Sequence, residues 1–234
     1  MTAAVGLYAC LKLPEPWQAA KTPIPLIVYG AAGAVGSFAV KLAKLSNIHP
    51  IIAVAGKGKA HVETLIDRSR GDNIVDYREG DEAVIKGMKD AVKKAGQEDV
   101  MYAWDAVSDH GSFQNISKVL KEGGHITVIR PEAYYSAIPE TMNRSVTYVG
   151  VVNQGQKSSR RMAELTPGGH ELGLVWSRLF TKGLQEGWFS GHPYEVRPGG
   201  LGGVEGALKD LQAGKASAVK YLFRIADTQG VRGA

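Results

Sequence analysis

The most constraining stretch of the 234-residue chain is Leu26-Ile27-Val28-Tyr29-Gly30-Ala31-Ala32-Gly33-Ala34-Val35-Gly36. Its first four residues are large and apolar and predict a buried strand ending at Tyr29. Small residues follow, and a helix pattern begins near Val35, with Val35, Phe38, Ala39, Leu42, Ala43 and Leu45 recurring at helical spacing. Gly33 and Gly36 carry no Cβ, so the turn can bring backbone against a pyrophosphate while the new helix packs close on the sheet. The first amides of that helix lack intrahelical partners and sit at its positive end, where an anion is stabilised. A glycine pattern alone is weak. Set between a strand and a helix, it predicts a dinucleotide-binding α/β domain with Ala32, Gly33, Ala34, Val35 and Gly36 around the phosphates.

The alternation continues along the chain. Ile51-Ile52-Ala53-Val54-Ala55 predicts a second strand covered on both faces. Residues 61–69 predict a helix, 73–77 a strand, 81–95 a helix, 100–105 a strand and 112–120 a helix. Gly123-Gly124 stops that helix before a fifth strand over 125–129, and 145–152 reads as a sixth. The expected fold is α/β, a doubly wound parallel sheet of about six strands in Rossmann style. Three segments are expected. Residues 1–25 give a short helix and a connection with Pro14, Pro16, Pro23 and Pro25; residues 26–190 form the nucleotide domain; residues 191–234 form a C-terminal segment. Within the second, residues 154–169 read as a polar loop and 172–189 as an amphipathic helix. In the last, strands are expected near 194–196 and 220–225 around a helix over 203–213.

Composition narrows the function classes. Hydrophobic residues make up 44% and charged residues 22%, the balance of an ordinary globular domain. The net charge of +5 suits a phosphate-bearing small ligand, and no basic run with interleaved aromatics points to nucleic acid. Apolar runs are strand-sized, so no membrane span is expected, and the N-terminus shows no secretion pattern, so a cytoplasmic setting is expected. Cys10 is the single cysteine, which excludes an intrachain disulfide and a multi-cysteine zinc site; it reads as a small buried residue. His49, His61, His110, His125, His170 and His192 are scattered without ligand spacing, and no metal is expected.

The end of the second strand carries the choice of dinucleotide. A carboxylate there would accept a hydrogen bond from the ribose 2′-hydroxyl of NAD. The sequence has Ala55-Gly56-Lys57-Gly58-Lys59 and no acid before Glu63, which favours a 2′-phosphate and hence NADP(H). The competing reading is that Lys57 and Lys59 only solvate a helix start. Tyr8 and Lys12 have the Tyr-x-x-x-Lys spacing of a reductase pair but precede the nucleotide loop, so they read as coincidence. Asp109 with His110, and Arg160 with Arg161, read as solvated loop residues.

These motifs together resemble the medium-chain dehydrogenase/reductase superfamily, in particular its zinc-independent quinone oxidoreductase and fungal trans-enoyl reductase branch. Ala31-Ala32-Gly33-Ala34-Val35-Gly36 is similar to that branch's A-x-x-G-x-x-G loop. Val54-Ala55-Gly56 with Lys59 resembles its 2′-phosphate segment, in which a serine often stands where this chain has Gly56. The run from Gly71 to Arg78 resembles the third-strand segment whose tyrosine borders the adenosine phosphate, a role the resemblance gives to Tyr77. Asp105-Ala106-Val107 resembles the turn beside the nicotinamide ribose, so the implied contacts extend to Ala106, Val107 and, at the end of the fifth strand, Ile129. Pro193-Tyr194-Glu195-Val196 and the stretch from Ala213 to Tyr221 are also family-like. The likeness begins partway through the family's plan. It implies that the N-terminal GroES-like catalytic domain is lacking and that the C-terminal strands are a remnant packing on it.

The resemblance implies a zinc-independent, NADPH-dependent oxidoreductase, or its cofactor domain, that transfers hydride to a quinone, enone or enoyl thioester. No residue stands out as catalytic. A non-catalytic NADP(H)-binding module acting through a protein partner is the alternative. An S-adenosylmethionine methyltransferase is disfavoured by the missing acid after the second strand. The sixth strand, between Val146 and Val151, is a candidate edge for homodimer pairing.

Overall fold

The computed structural model describes residues 1–153 and 168–230. The expected loop therefore lies almost wholly outside the described residues. Two compact units are present, Met1–Ser190 and Gly191–Ala234. Among the described residues no helix is long and apolar enough to cross a membrane.

The first unit is built on six parallel strands: β1 (Leu26–Tyr29), β2 (Ile51–Ala55), β3 (Asn73–Asp76), β4 (Tyr102–Asp105), β5 (His125–Val128) and β6 (Asn143–Val146), in the order β3-β2-β1-β4-β5-β6. The order reverses between β1 and β4, so a crevice opens at the carboxyl ends of those two strands. Side chains alternate across the sheet. Leu26 and Val28 face a core containing helix α2 (Ala34–Leu45), while Ile27 and Tyr29 face a second core containing α4 (Asp81–Lys94) and α5 (Ser112–Ser117). Both faces are covered, which is why β1 and β2 read as continuous apolar runs.

The α2 face is completed by helix α6 (Gly169–Glu186) and by the N-terminal segment. That segment starts as α1 (Thr2–Ala4) and continues as a π-helix, Val5–Cys10. Gly6 lies directly against the Trp104 indole: a methyl there would come within 2.5 Å of Cε3 and nearer still to Cζ3 and Cη2. Tyr8 is buried, stacks on Trp176 at 4.5 Å, and donates from its hydroxyl to Leu42 O at 3.0 Å. It anchors packing, in keeping with the Tyr8–Lys12 spacing being coincidental. Cys10 is buried as expected, with the Thr147 hydroxyl donating to its Sγ at 3.7 Å.

Two boundaries differ from expectation in a way that matters. The helix expected over 61–69 is the short α3 (Lys59–Glu63), so Lys59 begins it instead of preceding it. The sixth strand is displaced: β6 ends at Val146, and Val149–Asn153 forms a 3₁₀ turn. Asn143 N donates to Gly124 O, setting the register, and β6 runs out where its partner β5 ends. The β-branched run beyond it is explained by packing, since Val151 is buried against Val5 and Cys10. The outer strand of the sheet is therefore Asn143–Val146.

The second unit is a βαβ element: β7 (Tyr194–Arg197), a 3₁₀ turn at Gly200–Gly203, α7 (Val204–Gln212) and β8 (Lys220–Phe223), with β7 and β8 parallel. Arg197 ties it together, donating to Glu195 at 2.7 Å and Asp210 at 2.6 Å with its guanidinium over the Tyr221 ring. Leu201, Leu208 and Leu211 are exposed.

Candidate functional site

Because every strand of the main sheet points the same way, the turns after β1 to β5 lie along one edge, and all the expected site residues fall there. The turn after β1 is shaped by two glycines. Gly30 has φ +77° and an added methyl would lie 2.6 Å from Val107 Cγ2, so the turn after β4 presses on it. At Gly36 a methyl would collide with Gly30 O and lie 2.8 Å from Gly30 C and 2.9 Å from Ala31 Cα. The turn is pinned from both sides. Gly30 N and Ala31 N both donate to Val54 O at 3.0 Å, and the buried Ser37 hydroxyl donates to Ala31 O at 3.0 Å.

Gly33 caps α2 with no side-chain hydrogen bond, and the first turn contains no acid. Ser37 N donates to Gly33 O at 2.8 Å. By helix geometry the amides of Ala34, Val35 and Gly36 therefore have no acceptor within the helix. They form the floor of a cradle for an anion. At Gly33 itself a methyl would be 3.5 Å from Gly30 O, an ordinary contact, so this glycine leaves the cradle open instead of relieving a clash.

On one side of the cradle lie the ends of β2 and β3. Gly56 is buried under the Tyr77 ring: a methyl at 56 would be 2.6 Å from Cε1 and 2.7 Å from Cζ. The space that a side chain at position 56 would need is filled by the Tyr77 ring. Lys57 and Lys59 are exposed on this rim. Asp76 and Arg78, which sequence reasoning did not single out, complete it. Both Asp76 oxygens take hydrogen bonds from Arg78, which holds the carboxyl down at about 2.

On the other side, Asp105 organises the turns after β4 and β5. It is fully buried, and its Oδ1 accepts from the amides of Val107 at 3.0 Å and Ser108 at 2.9 Å. Its Oδ2 accepts from the Ser112 hydroxyl at 2.6 Å. Burial raises its pKa, and these hydrogen bonds oppose the rise. Ile129 N donates to Ser108 Oγ at 2.9 Å, and Ala106 N to Tyr29 O at 3.0 Å. Asp105 thus places Ala106 and Val107 against the β1 turn, and through Ser108 it ties the Ile129 amide to the turn after β4. The signal for it was a carboxylate ending an apolar strand with serines three and seven residues on. Asp109 bonds the His110 amide and pairs with Arg130, which lowers its pKa, as suits a solvated loop residue.

No family model matches the chain. It is 46% identical over 201 residues to the trans-enoyl reductase fsr4 of Gibberella fujikuroi, a match covering 85% of this chain and 55% of that one. The chain is a trans-enoyl reductase homologue. The trans-enoyl reductase fsa3 of a Fusarium species is 26% identical over 230 residues, covering 96% of this chain and 62% of the relative. Among solved structures, the CurK enoyl reductase superposes with a TM-score of 0.63 at 18% identity, over 94% of this chain and 59% of that one. The six-stranded fold is therefore that of the medium-chain dehydrogenase/reductase enoyl reductases, as the resemblance implied. This homologue spans about three-fifths of the length of the proteins it matches.

Proposed function

We propose that this chain supplies the cofactor half of a zinc-independent, NADPH-dependent reductase acting on an activated C=C bond, with an enoyl thioester favoured over a quinone. The observation that carries the reading is the cradle itself, in which Gly36 leaves no room for a Cβ and the first turn of α2 holds no acid, beside a rim where Lys57 and Lys59 are exposed and Tyr77 covers Gly56. These residues fit a dinucleotide carrying a 2′-phosphate. The enoyl class is favoured by the relatives, which are named trans-enoyl reductases. When bound, such a cofactor supplies hydride from its nicotinamide. The chain's part is to hold the diphosphate on Ala32 to Gly36 and the adenosine end beside Tyr77. The β4 and β5 turns, braced by Asp105, would present Ala106, Val107 and Ile129 to the nicotinamide ribose.

The test is a titration with NADPH and NADH, repeated on Lys59→Ala, followed by NADPH oxidation with enoyl thioesters, enones and quinones in the presence and absence of a chelator. Equal affinity for both cofactors removes the 2′-phosphate reading, and loss of activity on chelation removes zinc independence. Binding without turnover supports the second reading, a non-catalytic NADP(H)-binding module acting through a protein partner. Pairing of two copies through the outer edge of β6 is a further proposal, which light scattering tests by the mass in solution.

A further inference from the structure

The end of β2 has no acid, but the sheet brings one to it from the neighbouring strand. In the parallel register Asp76, the last residue of β3, stands beside Ala55, the last residue of β2. A carboxylate at the end of the second strand accepts a ribose 2′-hydroxyl and repels a 2′-phosphate, and Asp76 stands one strand over from that position. Left alone, Asp76 would oppose the lysines on either side of Gly58.

It is not left alone. Asp76 Oδ1 accepts from Arg78 N at 3.0 Å and from Arg78 Nε at 2.8 Å, and Oδ2 accepts from Nη2 at 2.5 Å. The carboxylate side chain is 10% exposed and the guanidinium 50% exposed, so the cation forms the outer layer. Tyr77 stands between the two in sequence, with its ring over Gly56. The clasp therefore sits at the mouth of the adenosine end of the cradle.

We infer that Arg78 masks Asp76, and that this clasp selects the 2′-phosphate over the 2′-hydroxyl. With Arg78 present, both Asp76 oxygens are filled and the guanidinium forms the outer layer of the rim. Without its side chain, Oδ1 keeps the amide of residue 78 and Oδ2 is left open to accept from a ribose 2′-hydroxyl. Arg78 is then a specificity-determining residue and Asp76 the residue that positions it. The inference rests on the dinucleotide reading above.

The experiment titrates NADPH, NADH, 2′,5′-ADP and 5′-AMP into the full chain and into Arg78→Ala, Arg78→Lys, Asp76→Asn and the double variant Asp76→Asn/Arg78→Ala. Arg78→Ala is expected to weaken NADPH and 2′,5′-ADP by about tenfold to a hundredfold, the span of a lost charge-assisted hydrogen bond, while tightening NADH and 5′-AMP. The double variant loses the NADH gain, because the carboxylate is gone. Asp76→Asn keeps the preference for NADPH, and Arg78→Lys falls between. Equal weakening of all four ligands in Arg78→Ala marks a structural role and overturns the inference; Arg78→Lys, which keeps the charge, reads the same contrast if the alanine variant melts early. A parent chain preferring NADPH whose Arg78→Ala form keeps that preference overturns the clasp alone. A parent chain with no preference overturns the 2′-phosphate reading and the clasp with it.

Discussion

Replacing Gly36 with alanine separates the two jobs of the phosphate turn. In an open helix the change would be favourable by about 1 kcal/mol, since alanine has the better helix propensity. Here the new Cβ would lie 2.8 Å from Gly30 C and 2.9 Å from Ala31 Cα. Carbon atoms rest at about 3.5 Å or more, so backbone must withdraw by roughly half an ångström or more. That backbone is fixed by two amides on Val54 O and by the Ser37 hydroxyl on Ala31 O. Overpacking costs about 1–3 kcal/mol and each weakened hydrogen bond about 1 kcal/mol. The clash outweighs propensity, for a net loss of about 2 kcal/mol. A chain of this size then melts lower by about 4–8 °C. Gly33→Ala is the control: its φ of −71° and ψ of 163° suit any residue, and its nearest contact is 3.5 Å. Its melting temperature should stay within about 2 °C of the parent, while NADPH affinity falls because the methyl stands in the cradle. Thermal melts and cofactor titration of both variants decide the matter. A Gly36→Ala form that melts at or above the parent, or a Gly33→Ala form equally destabilised, refutes the argument.

Gly6→Ala should cost about 3 kcal/mol in urea unfolding, because its methyl enters the fully buried Trp104 ring; a loss below about 1 kcal/mol would show that the π-helix can slide aside. Asp105→Ala strands two amides and a hydroxyl in a buried site, a loss of about 3 kcal/mol or more that Asp105→Asn should partly restore. Asp76 titrates near 2, below an ordinary aspartate at about 4. A depressed carboxylate stabilises the fold above its unfolded pKa and ceases to do so as pH falls through its folded one. The melting difference between the parent chain and Asp76→Asn should accordingly be full above about pH 4 and vanish near pH 2; a difference that persists there would place the effect elsewhere.

How much of this was legible in the residues depends on how far apart the causes lie. The β1 strand, the Gly30 to Gly36 turn and α2 were readable because strand, turn and helix cap are neighbours in sequence. The sixth strand was misplaced because Val149, Val151 and Val152 look like strand residues, whereas the end of β5 and the pocket between Val5 and Cys10 decide where they go. The π-helix was invisible for the same reason: Gly6 is required by Trp104, on a strand far along the chain. Asp105 was legible only as part of the Asp105-Ala106-Val107 turn; its bracing role was hidden because two of its partners are backbone amides, which carry no side-chain signature. The Asp76–Arg78 clasp is local in sequence, but its meaning depends on the register that sets Asp76 beside Ala55.

The uniform direction of the six strands has a practical corollary for handling this protein. The edge opposite the cradle holds connections of another kind: the buried His49–Asp72 pair, the Lys121–Asp99 contact, and turns at Gly96 and Gly123 with open space around them. A fluorophore, an affinity peptide or a fusion joint placed at Gly96 or Gly123 would stand a full strand length from the nucleotide. Surface attachment through those turns would leave the ligand edge facing the solution.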